Sequence, residues 1–296
     1  MPHVLTLVAP QGALNAALVT QVRAALDALG AVPGKPDWLS EREAADIPFT
    51  GAADQAVAAA HSALAGAPVD AIATPAESRR KRLLVADMDS TIVTTETLDE
   101  LAAFAGLKEK ISEITRRAMN GELDFHQALT ERVAMLEGLP VSALEGTWAQ
   151  TQMMPGAAEL VATMNANGAV TCLASGGFSF FTGRVAEQLG FHEHVSNTLV
   201  VESGKLTGRV AEPIFDRNAK LATLKRLATE HGLPMSATLA VGDGANDLDM
   251  IRAAGLGVAF KAKPVVAAAA GARVDHGDLT ALLFAQGYRR SEFRTA

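Results

Sequence analysis

The stretch Leu83-Leu84-Val85-Ala86-Asp87-Met88-Asp89-Ser90-Thr91 constrains this chain more than any other. Its apolar start is rich enough for a buried strand, and it ends in two acids one residue apart. Side chains alternate along a strand, so Asp87 and Asp89 leave on the same side. Ser90 and Thr91 then add short hydroxyls at the strand end. Two carboxylates at the C-terminal edge of a parallel sheet fit a divalent-metal site where phosphate chemistry happens. Asp and Ser also favour turns, so the stretch alone fits a solvated turn after a core strand equally well. Three further segments supply what a site would need.

The first is Ser175-Gly176-Gly177, which follows the apolar run Ala169–Ala174 and precedes a helix over 178–189. A hydroxyl and backbone N–H groups there would cradle a phosphoryl oxygen, although an ordinary N-cap and turn has the same composition. The second is Lys220, at the start of a helix over 219–231. Such a lysine is usually solvated, but it can also give an anionic phosphoryl group a fixed positive charge. The third, Gly242-Asp243-Gly244-Ala245-Asn246-Asp247, follows the run Thr238–Val241. Its glycines permit a tight turn, and its carboxylates are the oxygen donors Mg²⁺ prefers. The twelve-residue acidic pattern of a calcium loop is missing.

Around these segments the pattern is strand alternating with helix, which predicts a doubly wound α/β core with a Rossmann-like parallel sheet. Between residues 96 and 150 the pattern is helical: one helix stops at Gly106, one runs over 108–120 to Gly121, and one over 125–136 stops before Gly138 and Pro140. A helical cap inserted after the first strand, at the C-terminal edge of a sheet, is well placed to be a lid. Residues 195–201 and 206–210 flank Ser203-Gly204 and predict a hairpin; 256–260 and 272–274 could be edge strands. Residues 1–80 predict a separate α+β unit: strands at 4–8, within 33–40, at 49–50 and at 69–73, with helices over 13–29 and 51–64. The order β-α-β-β-α-β suggests a ferredoxin-like fold serving as a docking or oligomerisation module. The polar segment 75–82 is the expected linker to a second domain over 81–296.

At 296 residues the chain is long enough for two domains. Its 33 acids and 26 bases give a net charge of −7, which argues against non-specific nucleic-acid binding. The single Cys172, in an apolar run, excludes an internal disulfide framework and fits a reducing cytoplasm as a small buried hydrophobe. No apolar run reaches membrane-spanning length, and Met1-Pro2-His3-Val4 lacks the start of a signal peptide.

Taken together, LVADMDST, LASGG, Lys220 and VGDGANDLDM resemble the four ordered motifs of the haloacid-dehalogenase-like phosphotransferases. The chain from 83 to about 290 resembles the phosphoserine phosphatase family more closely. That likeness rests on Asp87–Val93 followed by Glu96, on Met119–Phe125, on Arg132–Leu136, on Ser175–Phe178, on Asn218-Ala219-Lys220 and on GDGANDLDM. The first eighty residues are loosely like the ACT-like regulatory domain some members carry, a likeness that implies no ligand for them.

The resemblance implies Asp87 as nucleophile, forming an aspartyl-phosphate, and Asp89 as general acid and then base. It implies Mg²⁺ held by the side chains of Asp87 and Asp243 and the backbone carbonyl of Asp89. Ser175, Gly176 and Lys220 would hold the phosphoryl group with Asn246 nearby, while Asp247 orients the loop or a metal-bound water. Arg132 would take the substrate carboxylate, Glu96 its ammonium, and Phe125 would cover the site. Taken singly, Arg132 and Glu96 fit surface charges, Phe125 fits core packing at helical spacing from Leu129, and His126, His192 and His194 fit surface or packing positions. The implied substrate is O-phospho-L-serine, hydrolysed to L-serine at the last step of serine biosynthesis in the cytoplasm. No nucleic-acid or membrane partner is implied, and a homodimer is compatible with the reading. The alternatives are another small-molecule phosphatase, a phosphotransferase with an amino-alcohol acceptor, and a non-catalytic amino-acid sensor.

Overall fold

The computed structural model describes residues 2–120 and 122–295, with Met119 described in its backbone alone; Gly121, the expected helix stop, lies outside the described residues. The chain opens with β1 (His3–Val8), a helix (Ala16–Ala28), β2 (Asp37–Ser40), β3 (Ala44–Phe49), a second helix (Ala53–Leu64) and β4 (Asp70–Pro75). The four strands form an antiparallel sheet in the order β2-β3-β1-β4, a ferredoxin-like arrangement. The two middle strands differ from expectation. β2 is only four residues, and β3 runs back to Ala44 through Asp46, a residue type depleted in strands. Asp46 is accommodated because Thr6 and Arg79 donate to its carboxylate.

Both faces of this sheet are covered. Leu5, Leu7, Ile47 and Phe49 pack against Val19, Val22 and Leu26 of the first helix. Val8, Leu39, Ala44 and Ile72 join the main core instead. Each fully buried aliphatic side chain is worth about 1.5–3 kcal/mol. The segment expected as a linker is docked: Arg79 pairs with Asp46 at 2.6 Å, and buried Lys81 donates to the carbonyls of Ser78 and Ser236.

The main sheet contains β5 (Leu83–Ala86), β6 (Val170–Phe178), β7 (Glu193–Asn197), β10 (Thr238–Gly242), β11 (Leu256–Phe260) and β12 (Ala272–Val274); a separate hairpin is formed by β8 (Leu199–Glu202) and β9 (Lys205–Val210). The sheet order is β12-β11-β10-β5-β6-β7, all parallel. The chain leaves β5 toward β6 on one side and later returns to β10 on the other, so β5 is the switch point where open α/β sheets form their crevice. The expected first strand of the hairpin is two strands. Asn197 ends β7 because its amide bonds Gly176 O, Phe215 O and Phe215 N, and the chain turns before Leu199.

The cap holds four helices, Thr97–Ala103, Lys108–Met119, Phe125–Ala134 and Ser142–Gln150. The last lacks a distinct expectation because it is short and contains Gly146, where the Phe104 ring would lie 2.5 Å from an added Cβ. Two paired chains make the neck: Val93 bridges Met153, Thr94 N donates to Gln152 O, and Met154 N donates to Ile92 O. The hairpin supports the cap loop from outside through Gly138 N to Leu206 O and Val141 N to Gly204 O. A short helix, Ala281–Ala285, is buried throughout and had no counterpart in the sequence reading.

Candidate active site

Ala86 on β5 pairs in register with Val241 on β10, so Asp87 and Asp243 emerge from adjacent strand ends. Asp87 N extends that ladder with a 3.0 Å bond to Val241 O. The turn beyond is tight: Met88 O accepts from Thr91, Ile92 and Val93 N, and Ser90 takes a positive φ of 56°. This brings Asp89 back over the sheet, where Oδ1 accepts from Thr97 N at 2.7 Å and Oδ2 from Ser175 Oγ at 3.2 Å. On the other flank β6 delivers Ser175, whose Oγ also accepts from Gly177 N at 2.9 Å.

Lys220, fully buried on the helix Arg217–Glu230, reaches both Asp87 Oδ1 and Asp247 Oδ1 at 2.6 Å. Burial opposes its charge, but Asp247 and Asp87 more than offset this and raise its pKa. Asp247 also accepts from Gly244 N at 3.1 Å and packs on Gly242, where an added Cβ would lie 2.4 Å from its Cγ. Asp247 therefore orients both the glycine loop and the lysine.

Negative charge exceeds positive charge here. Burial pushes Asp87 well above the usual carboxylate range, aided by Asp247 and opposed by Lys220. Burial likewise raises Asp89, against the hydrogen bonds from Thr97 and Ser175. Burial and then Asp247 push Asp243 up to about 7. Oxygens of Asp87, Asp243 and Asp247 all lie within 4.8 Å of one another. Asp243 Oδ2 is buried without a well-formed hydrogen bond, and Lys263 Nζ makes a long ion pair with it at 3.4 Å. An oxygen-only donor set with a buried carboxylate oxygen that lacks a well-formed hydrogen bond fits a hard divalent cation.

Across the pocket the cap supplies Glu96, Phe125 and Arg132, which line it together with Asp87, Asp89, Ser175, Gly176, Asp243 and Asn246. Ser90 Oγ holds Glu96 Oε1 at 2.7 Å. Burial, then Asp89 and Asp243, push the Glu96 carboxyl up to about 8. Arg132 is buried; its Nε donates to Ala128 O and its Nη1 to Thr115 Oγ1 at 2.8 Å, and Thr115 Oγ1 donates to Asp99 Oδ1 at 2.6 Å. Burial lowers the Arg132 pKa, opposed by Asp99 and Glu96. Phe125 faces Gly176, where an added Cβ would lie 3.0 Å from the ring. Asn246 Oδ1 is buried and unbonded.

Of the expected site residues, Asp87, Asp89, Glu96, Phe125, Arg132, Ser175, Gly176, Asp243 and Asn246 line one pocket, while Lys220 lies buried behind it, bonded to Asp87. Three supporting residues were not singled out. Thr115 accepts from Arg132 and is itself held by Asp99 on a separate cap helix, and Asn197 ties the Gly176 carbonyl to Phe215, which precedes the Lys220 helix. An acid in a first helical turn and an Asn at a strand end are too common to mark a site.

Residues 84–252 match the haloacid dehalogenase-like hydrolase family. The phosphoserine phosphatase of Streptococcus thermophilus is 47% identical over 202 residues, covering 68% of this chain and 94% of that protein. A solved phospho-aspartyl intermediate analogue of phosphoserine phosphatase is similar with a TM-score of 0.67 and 38% identity, covering 69% of this chain and 98% of that one. The unliganded structure of a probable phosphoserine phosphatase from Vibrio cholerae is similar with a TM-score of 0.78 and 33% identity; it covers 98% of this chain and 88% of that one, so the likeness extends into the first eighty residues. Other relatives are longer: the chain spans 58%, 53% and 60% of the phosphoserine phosphatases of Streptomyces coelicolor, Mycobacterium tuberculosis and Archaeoglobus fulgidus. With a family match over more than half its length and such relatives, the chain belongs to the haloacid dehalogenase-like hydrolases, in their phosphoserine phosphatase family.

Proposed function

We propose that this chain hydrolyses O-phospho-L-serine to L-serine and phosphate, the closing reaction of serine biosynthesis, in the cytoplasm. The observation that carries the reading is the convergence of Arg132 and Glu96 with Asp87, Asp89 and Ser175 on one pocket. A phosphate alone needs only the core residues. The extra cation and acid suit a substrate that also carries a carboxylate and an ammonium.

In the first step an Asp87 carboxylate oxygen attacks phosphorus while the bond from phosphorus to the serine oxygen breaks. Asp89 gives its proton to the leaving oxygen. In the second step Asp89 takes a proton from water, the water oxygen bonds to phosphorus, and the bond to Asp87 breaks. Ser175, the Gly176 backbone, Asn246 and Lys220 hold the phosphoryl oxygens. Lys220 also keeps Asp87 aligned through its 2.6 Å bond to Oδ1. Phe125 closes the pocket against water. Mg²⁺, held by Asp87, Asp243 and the Asp89 carbonyl, would offset the charge of the nucleophile against the phosphate dianion. Residues 1–80 form a non-catalytic docking domain in this reading, and residues 81–296 the phosphatase.

Phosphate release from a panel of phosphomonoesters, with and without Mg²⁺, tests this. O-Phospho-L-serine should lead the panel. A preference for sugar phosphates or phosphoglycolate would refute the substrate.

A further inference from the structure

The cap meets the core at a second place, away from its neck. His126, in the first turn of the helix Phe125–Ala134, has Nε2 3.0 Å from Asp216 Oδ2. Asp216 is the N-cap of the helix Arg217–Glu230, and its Oδ1 accepts from Ala219 N at 3.0 Å. One carboxylate therefore caps the helix that carries Lys220 and grips the helix that carries Phe125. An ionised carboxylate only accepts, so Nε2 bears the proton in this contact. The pair borders a cleft between cap and core, lined also by Asp124, Arg217, Asn218 and Asn246. Arg217 is engaged by Asp249 through two hydrogen bonds, and besides His126 the side-chain donor to Asp216 Oδ2 is Asn218 Nδ2, at the longer distance of 3.4 Å.

We propose that His126 is a positioning residue: its bond to Asp216 latches the free edge of the cap to the core and so holds Phe125 over Gly176. It touches neither substrate nor reacting atoms. The inference deepens the proposed function by naming what closes its pocket, and rests on that reading for its kinetic arm alone. The imidazole is half exposed and Asp216 about one-fifth exposed, so the latch is weak, as a lid that must reopen for product release requires.

The test compares wild type, His126→Ala and His126→Gln, the last keeping a side-chain N–H that can reach Asp216. Asp216→Asn keeps an N-cap oxygen for Ala219 N while removing the charge. Amide hydrogen exchange of Phe125–Ala134 should quicken about two- to fivefold in His126→Ala, the size expected of losing an exposed pair. It should return toward wild type in His126→Gln. KM for O-phospho-L-serine should rise by a similar factor with kcat unchanged or higher. If the wild type does not turn over phosphoserine, the proposed substrate falls, yet the exchange measurement still decides the latch. Wild-type exchange in both His126→Ala and Asp216→Asn would overturn it, as would a His126→Gln variant no closer to wild type than His126→Ala.

Discussion

Gly177 lies against Asp89 so closely that an added Cβ would be 2.7 Å from Asp89 Oδ2 and 3.1 Å from Ser175 Oγ. Gly177→Ala must therefore displace the Asp89 carboxylate, which is pinned by Thr97 N and Ser175 Oγ. We expect kcat to fall at least tenfold, with an overpacking cost of about 1–3 kcal/mol in unfolding free energy. Steady-state kinetics and urea titration check both. Wild-type kcat would mean that the Asp89 position does not matter.

Asp87→Asn should abolish nearly all turnover while the protein stays folded. The side chains are nearly isosteric, and the change removes one negative charge from a buried cluster in excess of it. The apo melting temperature should therefore hold or rise. Beryllofluoride should bind wild type alone. Substantial turnover by the variant rules out the covalent route.

Chelation with EDTA should stop turnover, and Mg²⁺ should restore it. Ca²⁺ should inhibit, because it takes more oxygens at longer distance and can occupy both oxygens of Asp87. Undiminished turnover in EDTA would end the metal assignment.

Arg132→Ala should lose phosphoserine turnover far more than turnover of an aryl phosphate, which has no carboxylate. A charge-assisted bond of about 1.5–3 kcal/mol predicts a shift in relative kcat/KM of roughly tenfold to a hundredfold. Glu96→Gln should hurt phosphoserine more than phosphoglycolate, which lacks the ammonium. Equal losses on both substrates would reduce Arg132 to a support of the cap.

Arg79→Ala should destabilise the fold by about 3 kcal/mol, since it leaves the buried Asp46 carboxylate without its cation. Arg79 also donates to Thr6 Oγ1 and to the carbonyls of Phe284 and Ala285. Urea unfolding reads the loss directly; a cost below about 1 kcal/mol would place the pair in the weak, solvent-screened class.

Much of the main domain was legible because its signals are local. Leu83–Ala86 and Thr238–Val241 are apolar runs ending in acids, and each is a buried central strand with its carboxylate at the strand end. What escaped depends on contacts distant in sequence. Asp46 lies inside β3 only because Arg79 answers it. The helix Ala281–Ala285 is apolar all round and so has no periodicity to detect. His126 carries no sign of Asp216, ninety residues on. The reach of Lys220 is similar: its position at a helix start was visible, but its grip on Asp247 as well as Asp87 was not.

β4 packs beside β12, the outermost strand of the main sheet. Asp70, at the head of β4, accepts from the backbone N–H groups of Asp275, His276 and Gly277 just past that strand. An uncovered edge strand offers unpaired backbone groups to any other chain. The first eighty residues therefore also act as an edge guard. A fragment beginning at the catalytic sheet would keep Asp87, Asp243 and Lys220 but present β12 as a template for intermolecular pairing, so its liability would be aggregation rather than defective chemistry.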